Sequence, residues 1–189
     1  MNIQEFIVQF NELFPEVDKM EGATDNMIVA CEQKLGISLP ASFVAFLKEF
    51  SNGIFLLDWE PIGGVQEDSP CGEICKVNSI LPDVPKEVVL AGSNERIDSD
   101  RLISFTLFDA GNTSNNHWVF ICEENVPDHE YRVAFISQEG KIVLVLDNFE
   151  EWLTIFWEAN KEEDDIGKPV FHHFYSTFDK RAEILDTLN

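Results

Sequence analysis

The chain has 189 residues, and 35 aspartates and glutamates against 13 lysines and arginines give it a formal charge of −22 at pH 7. Proteins bind a polyphosphate backbone with basic residues that release its counterions, so this charge argues against nucleic acid and anionic membranes as partners. Hydrophobic residues make up 44 % of the chain, including 16 phenylalanines, which is enough to bury a substantial core in one domain.

The amino end and the cysteines indicate the compartment. The first residues, MNIQEFIVQF, lack the basic segment that precedes the apolar run of a secretory signal. No stretch approaches the roughly 20 apolar residues of a membrane-spanning helix. We therefore expect a cytoplasmic protein with reduced cysteines, of which Cys31 and Cys122 fall at apolar positions and are predicted to fill the core.

Three helices are predicted before residue 54. Ile3–Phe14 has apolar residues at helical spacing, which is typical of an amphipathic helix. Thr24 is a candidate N-cap for a second helix, which Gly36 ends because a left-handed conformation costs glycine least. Pro40 opens a third helix, since its missing N–H is not needed there, and Asn52-Gly53 ends that helix.

A strand pattern replaces the helical one after Gly53. Phe55, Leu57 and Trp59 alternate with their neighbours and predict a strand that Glu60-Pro61 interrupts. Short apolar runs separated by polar breaks predict five further strands, at Val88–Ala91, Leu102–Phe108, Trp118–Cys122, Tyr131–Ile136 and Ile142–Leu146. Such short connections favour antiparallel hairpins, and Gln138–Lys141 is the clearest turn.

The order of elements predicts an α+β fold, with an antiparallel multi-stranded sheet packed against the amino-terminal helices and a helix that follows the last strand. Asp147 or Asn148 is expected to cap that last helix. We expect one domain over residues 1–189, with a core of about 23–158, a helical extension at 1–22 and a tail at 166–189. The tail contains VFHHFYSTF, and exposed aromatic residues are a liability, so we expect it to pack on the domain or across a homodimer.

Three blocks of the sequence resemble the SUKH superfamily, which groups fungal cell-wall-synthesis regulators with many bacterial immunity proteins. They are ATDNMIVACEQKLGISLPASFVAFLKEFSNG at 23–53, RLISFTLFDAGNTSNNHWVFI at 101–121 and IVLVLDNFEEWLTIF at 142–156. The resemblance implies a non-enzymatic protein that binds a protein partner. In bacteria such proteins typically neutralise a cognate toxin, often a nuclease, and a basic nuclease would suit an acidic inhibitor.

The sequence leaves two other classes of function open. A general regulatory or scaffold module of the same fold is the alternative to an immunity protein. An unrecognised hydrolase or metal protein is the third, but the sequence has no GxxxxGK[ST], GxSxG or HExxH motif. Neighbours in a strand point to opposite faces, so His172 and His173 are not expected to share a metal. Cys71 and Cys75 have a zinc-like spacing without a second pair of ligands, and His117 and His129 are predicted in solvated loops.

No cofactor, metal or catalytic residue is therefore predicted, and the candidate residues are those for partner binding. One end of the sheet is predicted to be lined by five acidic residues, Asp109, Glu123, Glu124, Asp128 and Glu130. Asp58 and Glu60 flank the early strand. Trp59 and Trp118 are candidate aromatic anchors, because buried aromatic side chains dominate many interfaces, and core packing is the alternative for both.

Overall fold

The computed structural model describes residues 1–56, 60–78, 87–90, 93–106, 117–136 and 141–160. Within these residues the helices and antiparallel strands follow the predicted order, which confirms the α+β fold class. The tail at 166–189 lies outside the described residues, and its predicted packing on the domain or across a homodimer stays a prediction.

The helices at the amino end are α1 (Ile3–Leu13), α2 (Asp25–Leu35) and α3 (Ala41–Glu49). Thr24 caps α2, because its Oγ1 accepts the backbone N–H of Met27 at 3.4 Å. Gly36 ends α2 at φ 71°, a conformation in which a side chain would be strained. Pro40 is the residue immediately before α3. The three predicted helices and their end signals are confirmed.

The strands among the described residues are β1 (Ile54–Leu56), β2 (Glu60–Ile62), β3 (Glu87–Val89), β4 (Arg96–Asp98), β5 (Leu102–Ser104), β6 (His117–Ile121), β7 (Arg132–Ile136) and β8 (Ile142–Leu146). β1 pairs with β2 and β3 with β4, and the largest sheet has the order β5-β6-β7-β8 with every pair antiparallel. A short helix, α4 (Ile74–Asn78), precedes β3, and α5 (Phe149–Asn160) follows β8. Asn148 is the cap of α5, since its Oδ1 accepts the N–H of Glu151 at 2.9 Å.

Some local predictions differ from the structure. The single strand predicted after Gly53 is a hairpin instead, with Leu56 opposite Glu60 and Phe55 opposite Pro61. β2 begins at Glu60-Pro61, the pair expected to interrupt the strand, because a charged residue followed by proline is not typical of a strand. α4 and β4 were missed because each is only three to five residues long and has too few apolar residues to set a period.

Aromatic rings pack between α3, the four-stranded sheet and α5. Phe43 of α3 has its ring centroid 5.2 Å from Phe120 of β6 and 5.0 Å from Phe149 of α5. Phe105, which follows β5, stacks on Phe120 at 4.4 Å and meets Trp152 edge-on at 5.4 Å. All five side chains are completely buried. This aromatic cluster forms the centre of the main core and fixes both helices on one face of the sheet.

The opposite face of the same sheet is covered by the β3–β4 hairpin. Val88 and Ile97 from the hairpin pack with Val119, Ile121 and Ala134 from the sheet in a second, smaller cluster. Leu90 also forms a parallel bridge with Ile142 of β8. The central strands are therefore buried on both faces, which explains why they are continuous apolar runs instead of alternating ones.

The residues around Asn52-Gly53, besides ending α3, form hydrogen bonds to segments that are distant in sequence. The Asn52 side-chain oxygen accepts the backbone N–H of Val65 at 2.8 Å, and the Ser51 hydroxyl accepts that of Met20 at 3.0 Å. A Cβ atom on Gly64 would lie 2.4 Å from the backbone oxygen of Asn52, so only glycine permits this close approach.

Replacing Phe43 should test the aromatic cluster. We expect Phe43→Ala to lower the free energy of unfolding by about 3–5 kcal/mol, because the substitution leaves a cavity among rings that cannot collapse into it. Urea denaturation followed by tryptophan fluorescence measures the loss. Phe55→Ala is the matched control, since the Phe55 side chain is 50 % exposed and its loss should cost within about 0.5 kcal/mol. Equal losses for both variants would contradict the assignment of Phe43 to the core.

Candidate functional site

Strand order brings several acidic segments to one end of the four-stranded sheet. Leu102 pairs with Ile121, and Val133 pairs with Leu146, so the starts of β5 and β7 and the ends of β6 and β8 lie together. The segments attached at this end are the 3₁₀ turn before β5, the loop at 122–131 and the start of α5. We call this region the acidic end, and its carboxylates are Asp98, Asp100, Glu123, Glu124, Asp128, Glu130 and Asp147.

The loop at 122–131 has an unusual backbone. Asn125, Asp128 and His129 have φ values of 62°, 52° and 55°, and no other non-glycine residue in the described chain has a positive φ. Asparagine, aspartate and histidine tolerate this region better than most residues, but each such conformation still costs free energy. Tertiary contacts must therefore hold the loop in place.

One of these contacts joins the loop to the start of α3. The Glu130 carboxylate accepts the backbone N–H of Ser42 at 2.6 Å and the Ser42 hydroxyl at 2.7 Å. Ser42 is the second residue of α3, so the carboxylate satisfies a free N–H and lies at the positive end of the helix dipole. The Tyr131 hydroxyl and His129 Nδ1 are 3.1 Å apart and link the last turn of the loop internally.

A second contact joins the loop to the β3–β4 hairpin. Arg132 donates from its side chain to both oxygens of Glu123, at 3.1 and 2.7 Å, and to Glu95 at 2.7 Å. The bond from Arg132 lowers the pKa of the Glu95 carboxyl below its ordinary value and raises the pKa of the guanidinium. One arginine thus holds two carboxylates from different elements, in the bidentate geometry that a guanidinium permits.

Glu124 and Asp128 are left facing solvent between these contacts. Both side chains are exposed, and neither forms an ion pair with any residue that the structure describes. The arrangement presents two uncompensated carboxylates on a loop that is fixed on both sides. Such a surface can attract and orient a cationic group without first having to order the loop.

The other predicted partner-binding residues are placed differently. Asp58, Trp59 and Asp109 lie outside the described residues, and Glu60 opens β2. The predicted grouping of Asp109 with the 122–131 loop therefore stays a prediction.

Trp118 is a core residue. Its side chain is completely buried and packs on Phe135 at 5.0 Å and on Trp152 at 6.1 Å. It has no exposed surface for a partner, so core packing, which was the alternative interpretation, describes it. Neighbouring His117, predicted in a solvated loop, opens β6 and is only 4 % exposed, so that prediction is wrong. The histidine lies at the boundary between a polar loop and an apolar strand, and the sequence alone does not show to which of the two it belongs.

Sequence reasoning missed three residues that shape the acidic end: Ser42, Glu95 and Arg132. Ser42 and Glu130 are 88 positions apart, and Glu95 and Arg132 are 37 apart. No local pattern reports such a pairing. The only available signal was the presence of a rare cation, Arg132, directly after an acidic loop in a chain with few basic residues.

Metal-ligating residues do not cluster in the described part of the chain, where no group of three or more His, Cys, Asp or Glu side chains could hold an ion. All four cysteines are free, and Cys31 and Cys122 are buried as predicted. Burial raises the pKa of each of these two thiols to about 12, so both stay protonated at neutral pH. His172 and His173 lie outside the described residues.

Comparison with protein families decides what kind of protein has this geometry. The sequence profile of the SMI1/KNR4 family (SUKH-1) matches residues 22–156, a segment that contains all three blocks noted in the sequence. The chain belongs to the SMI1/KNR4 family. A comparison with curated protein sequences gives no match. Family membership is consistent with an immunity or regulatory role, and within the described residues no helix is long and apolar enough to cross a membrane.

The ion pairs of Arg132 generate a pH-dependent prediction. The pKa of the Glu95 carboxyl is lowered from 4.5 in the folded protein, so its pairing stabilises the fold above that pH and is lost as pH falls through the lowered value. We expect Arg132→Gln to cost about 1 kcal/mol at neutral pH and progressively less below pH 4.5, measured by urea denaturation at several pH values. Arg96→Gln is the matched control, because it removes an equal charge and an ion pair, with Glu87, from the β3–β4 hairpin without touching the loop. A cost for Arg132→Gln that does not change with pH would contradict the pairing.

Proposed function

We propose that this SMI1/KNR4-family chain is a non-enzymatic immunity protein that neutralises a cognate toxin by direct association. Family membership carries the proposal, because it is consistent with immunity or regulatory function. The formal charge of −22 and the absence of familiar catalytic motifs in the sequence support it. In this proposal the protein acts in the cytoplasm, where it meets the toxin, and it uses no cofactor.

The acidic end is the proposed contact surface, with Glu124 and Asp128 as its exposed carboxylates. Long-range attraction between an acidic protein and a basic one raises the association rate and falls as salt screens the charges. The loop is already held by Glu130 and Arg132. Binding therefore costs less conformational entropy than it would for a loop that has to be ordered first.

A basic nuclease is the toxin class that this surface suits best. An enzyme that cleaves nucleic acid needs cationic side chains that hold phosphates. Carboxylates on a rigid loop can occupy those cationic positions and exclude the substrate. Inhibition then follows from occupancy of the phosphate-binding surface, and no chemistry by the immunity protein is required.

The first experiment is a pull-down with the product of the adjacent upstream gene, followed by a growth assay in which that product is expressed alone or with this chain. We expect binding that weakens at high salt and rescue of growth by co-expression. If no toxin is encoded nearby and the chain instead binds a host protein, the immunity role is overturned in favour of the regulatory alternative.

Charge reversal should locate the contact surface. Glu124→Lys combined with Asp128→Lys is expected to weaken toxin binding by about 10- to 100-fold, because each reversal replaces an attraction by a repulsion. The matched control is Glu12→Lys with Glu16→Lys, an equal change of net charge at exposed positions near the end of α1. Isothermal titration calorimetry compares the two. An equal loss in both variants would show that overall charge acts instead of the acidic end.

A further inference from the structure

Two of the four thiols lie against each other where α2 packs on α4. Cys31 belongs to α2, Cys75 is the second residue of α4, and both side chains are part of the main core. The Cys31 thiol donates a hydrogen bond to the sulfur of Cys75, and the backbone N–H of Cys75 donates to the sulfur of Cys31. Two thiols in direct contact can form a disulfide without a large movement of the backbone.

An ion pair holds the two thiols in this position. The Cys75 thiol donates to Glu73 Oε1 at 2.7 Å, and Lys34 Nζ donates to the same oxygen at 2.7 Å. Lys34 lies about one turn after Cys31 on α2. The four side chains therefore close a ring between the two helices, in which the ion pair keeps the sulfur atoms together.

The two thiols differ in acidity and in access to solvent. Burial and the neighbouring Glu73 carboxylate raise the pKa of Cys75, and the hydrogen bond from Cys31 and the charge of Lys34 partly offset this rise. Burial raises the pKa of Cys31 to about 12. Cys75 is also the more exposed of the two, at 8 % against 1 %. Because the thiolate is the reactive form, Cys75 is the thiol that reacts first with an oxidant.

An open groove between α2 and the loop that follows β2 leads to this cluster. Cys31, Lys34 and Glu73 are among the residues that line it. A small oxidant such as hydrogen peroxide can reach the thiols from the groove, whereas a folded redox protein cannot enter it. In a reducing compartment both thiols otherwise persist.

We propose that Cys31 and Cys75 form a redox-sensitive crosslink, in which a hydroperoxide oxidises the two thiols to a disulfide between α2 and α4. The Cys75 thiolate attacks one peroxide oxygen, the O–O bond breaks, and the other oxygen leaves as hydroxide and takes up the proton that Cys75 released. The Cys31 sulfur then attacks the Cys75 sulfenic acid, an S–S bond forms, and the hydroxyl group leaves as water with the Cys31 proton. Two thiols and one hydrogen peroxide thus give one disulfide and two water molecules. A dithiol reverses the reaction by exchange.

The crosslink fixes α4, which in turn supports the edge of the largest sheet. The side chain of Asn78, at the end of α4, accepts the N–H of Ser104 in β5 at 2.8 Å and donates to its carbonyl oxygen at 3.0 Å. A disulfide across a long chain segment also restricts the unfolded state. Oxidation therefore stabilises α2, α4 and the start of the sheet as one unit. This chemistry needs no toxin and is independent of the proposed function.

Peptide mapping of the Cys71→Ser variant tests the pairing, because Cys75 is then the only cysteine in tryptic peptide 49–76 and Cys31 the only one in peptide 20–34. After treatment with hydrogen peroxide and digestion without reductant, mass spectrometry should find these two peptides joined with the loss of two hydrogens. The melting temperature should rise by about 5–10 °C and return with dithiothreitol. Further replacement by Cys75→Ser should abolish both effects. Oxidation of either thiol to a sulfonic acid without a crosslink, or a link from Cys31 to Cys122, would overturn the proposal.

The rate of crosslinking tests whether Cys75 is the thiol that reacts first. Glu73→Gln removes the negative charge that raises the pKa of Cys75, so the thiolate fraction increases and crosslinking should become several-fold faster. Glu67→Gln is the matched control, because it removes an equal charge at the same groove from an exposed side chain that pairs with Lys76, and it should leave the rate unchanged. In the Cys71→Ser variant the rate should rise about tenfold per pH unit while Cys75 is mainly protonated. A rate that neither Glu73→Gln nor pH alters would refute this mechanism.

Discussion

The packing of aromatic rings between α3, the four-stranded sheet and α5 is the constraint on which the other features depend. Phe43 contacts the sheet through Phe120 and the last helix through Phe149, so α3 cannot move without opening the main core. Ser42 precedes Phe43 directly, and its backbone N–H is the group that Glu130 binds. The core therefore sets the position of one side of the 122–131 loop through Ser42, and Arg132 holds the other side through Glu123.

The excess of negative charge affects how the scarce cations are used. Uncompensated carboxylates repel one another and destabilise a compact chain. Arg132 offsets part of this repulsion by holding Glu95 and Glu123 together, and Lys34 and Lys48 each hold one carboxylate of another element. These cations act mainly as connections between elements. The carboxylates left over, such as Glu124 and Asp128, give the surface its charge.

In the proposed role the acidic end would contribute to recognition mainly through its charge. At the acidic end the exposed charges act over a distance and are screened by salt, so they influence mainly how fast a partner arrives. In the proposed role this surface would attract basic proteins in general.

The sequence by itself determined the elements whose signals are local. Thr24 and Gly36 mark the ends of α2 because capping depends on neighbouring backbone groups, and the apolar runs of β6, β7 and β8 are long enough to show burial on both faces. The acidic loop before β7 was also identified. Only the tertiary structure decided that Trp118 is internal and that Glu130 binds α3. The reason is that strand order and contacts between residues distant in sequence are not encoded in any local period.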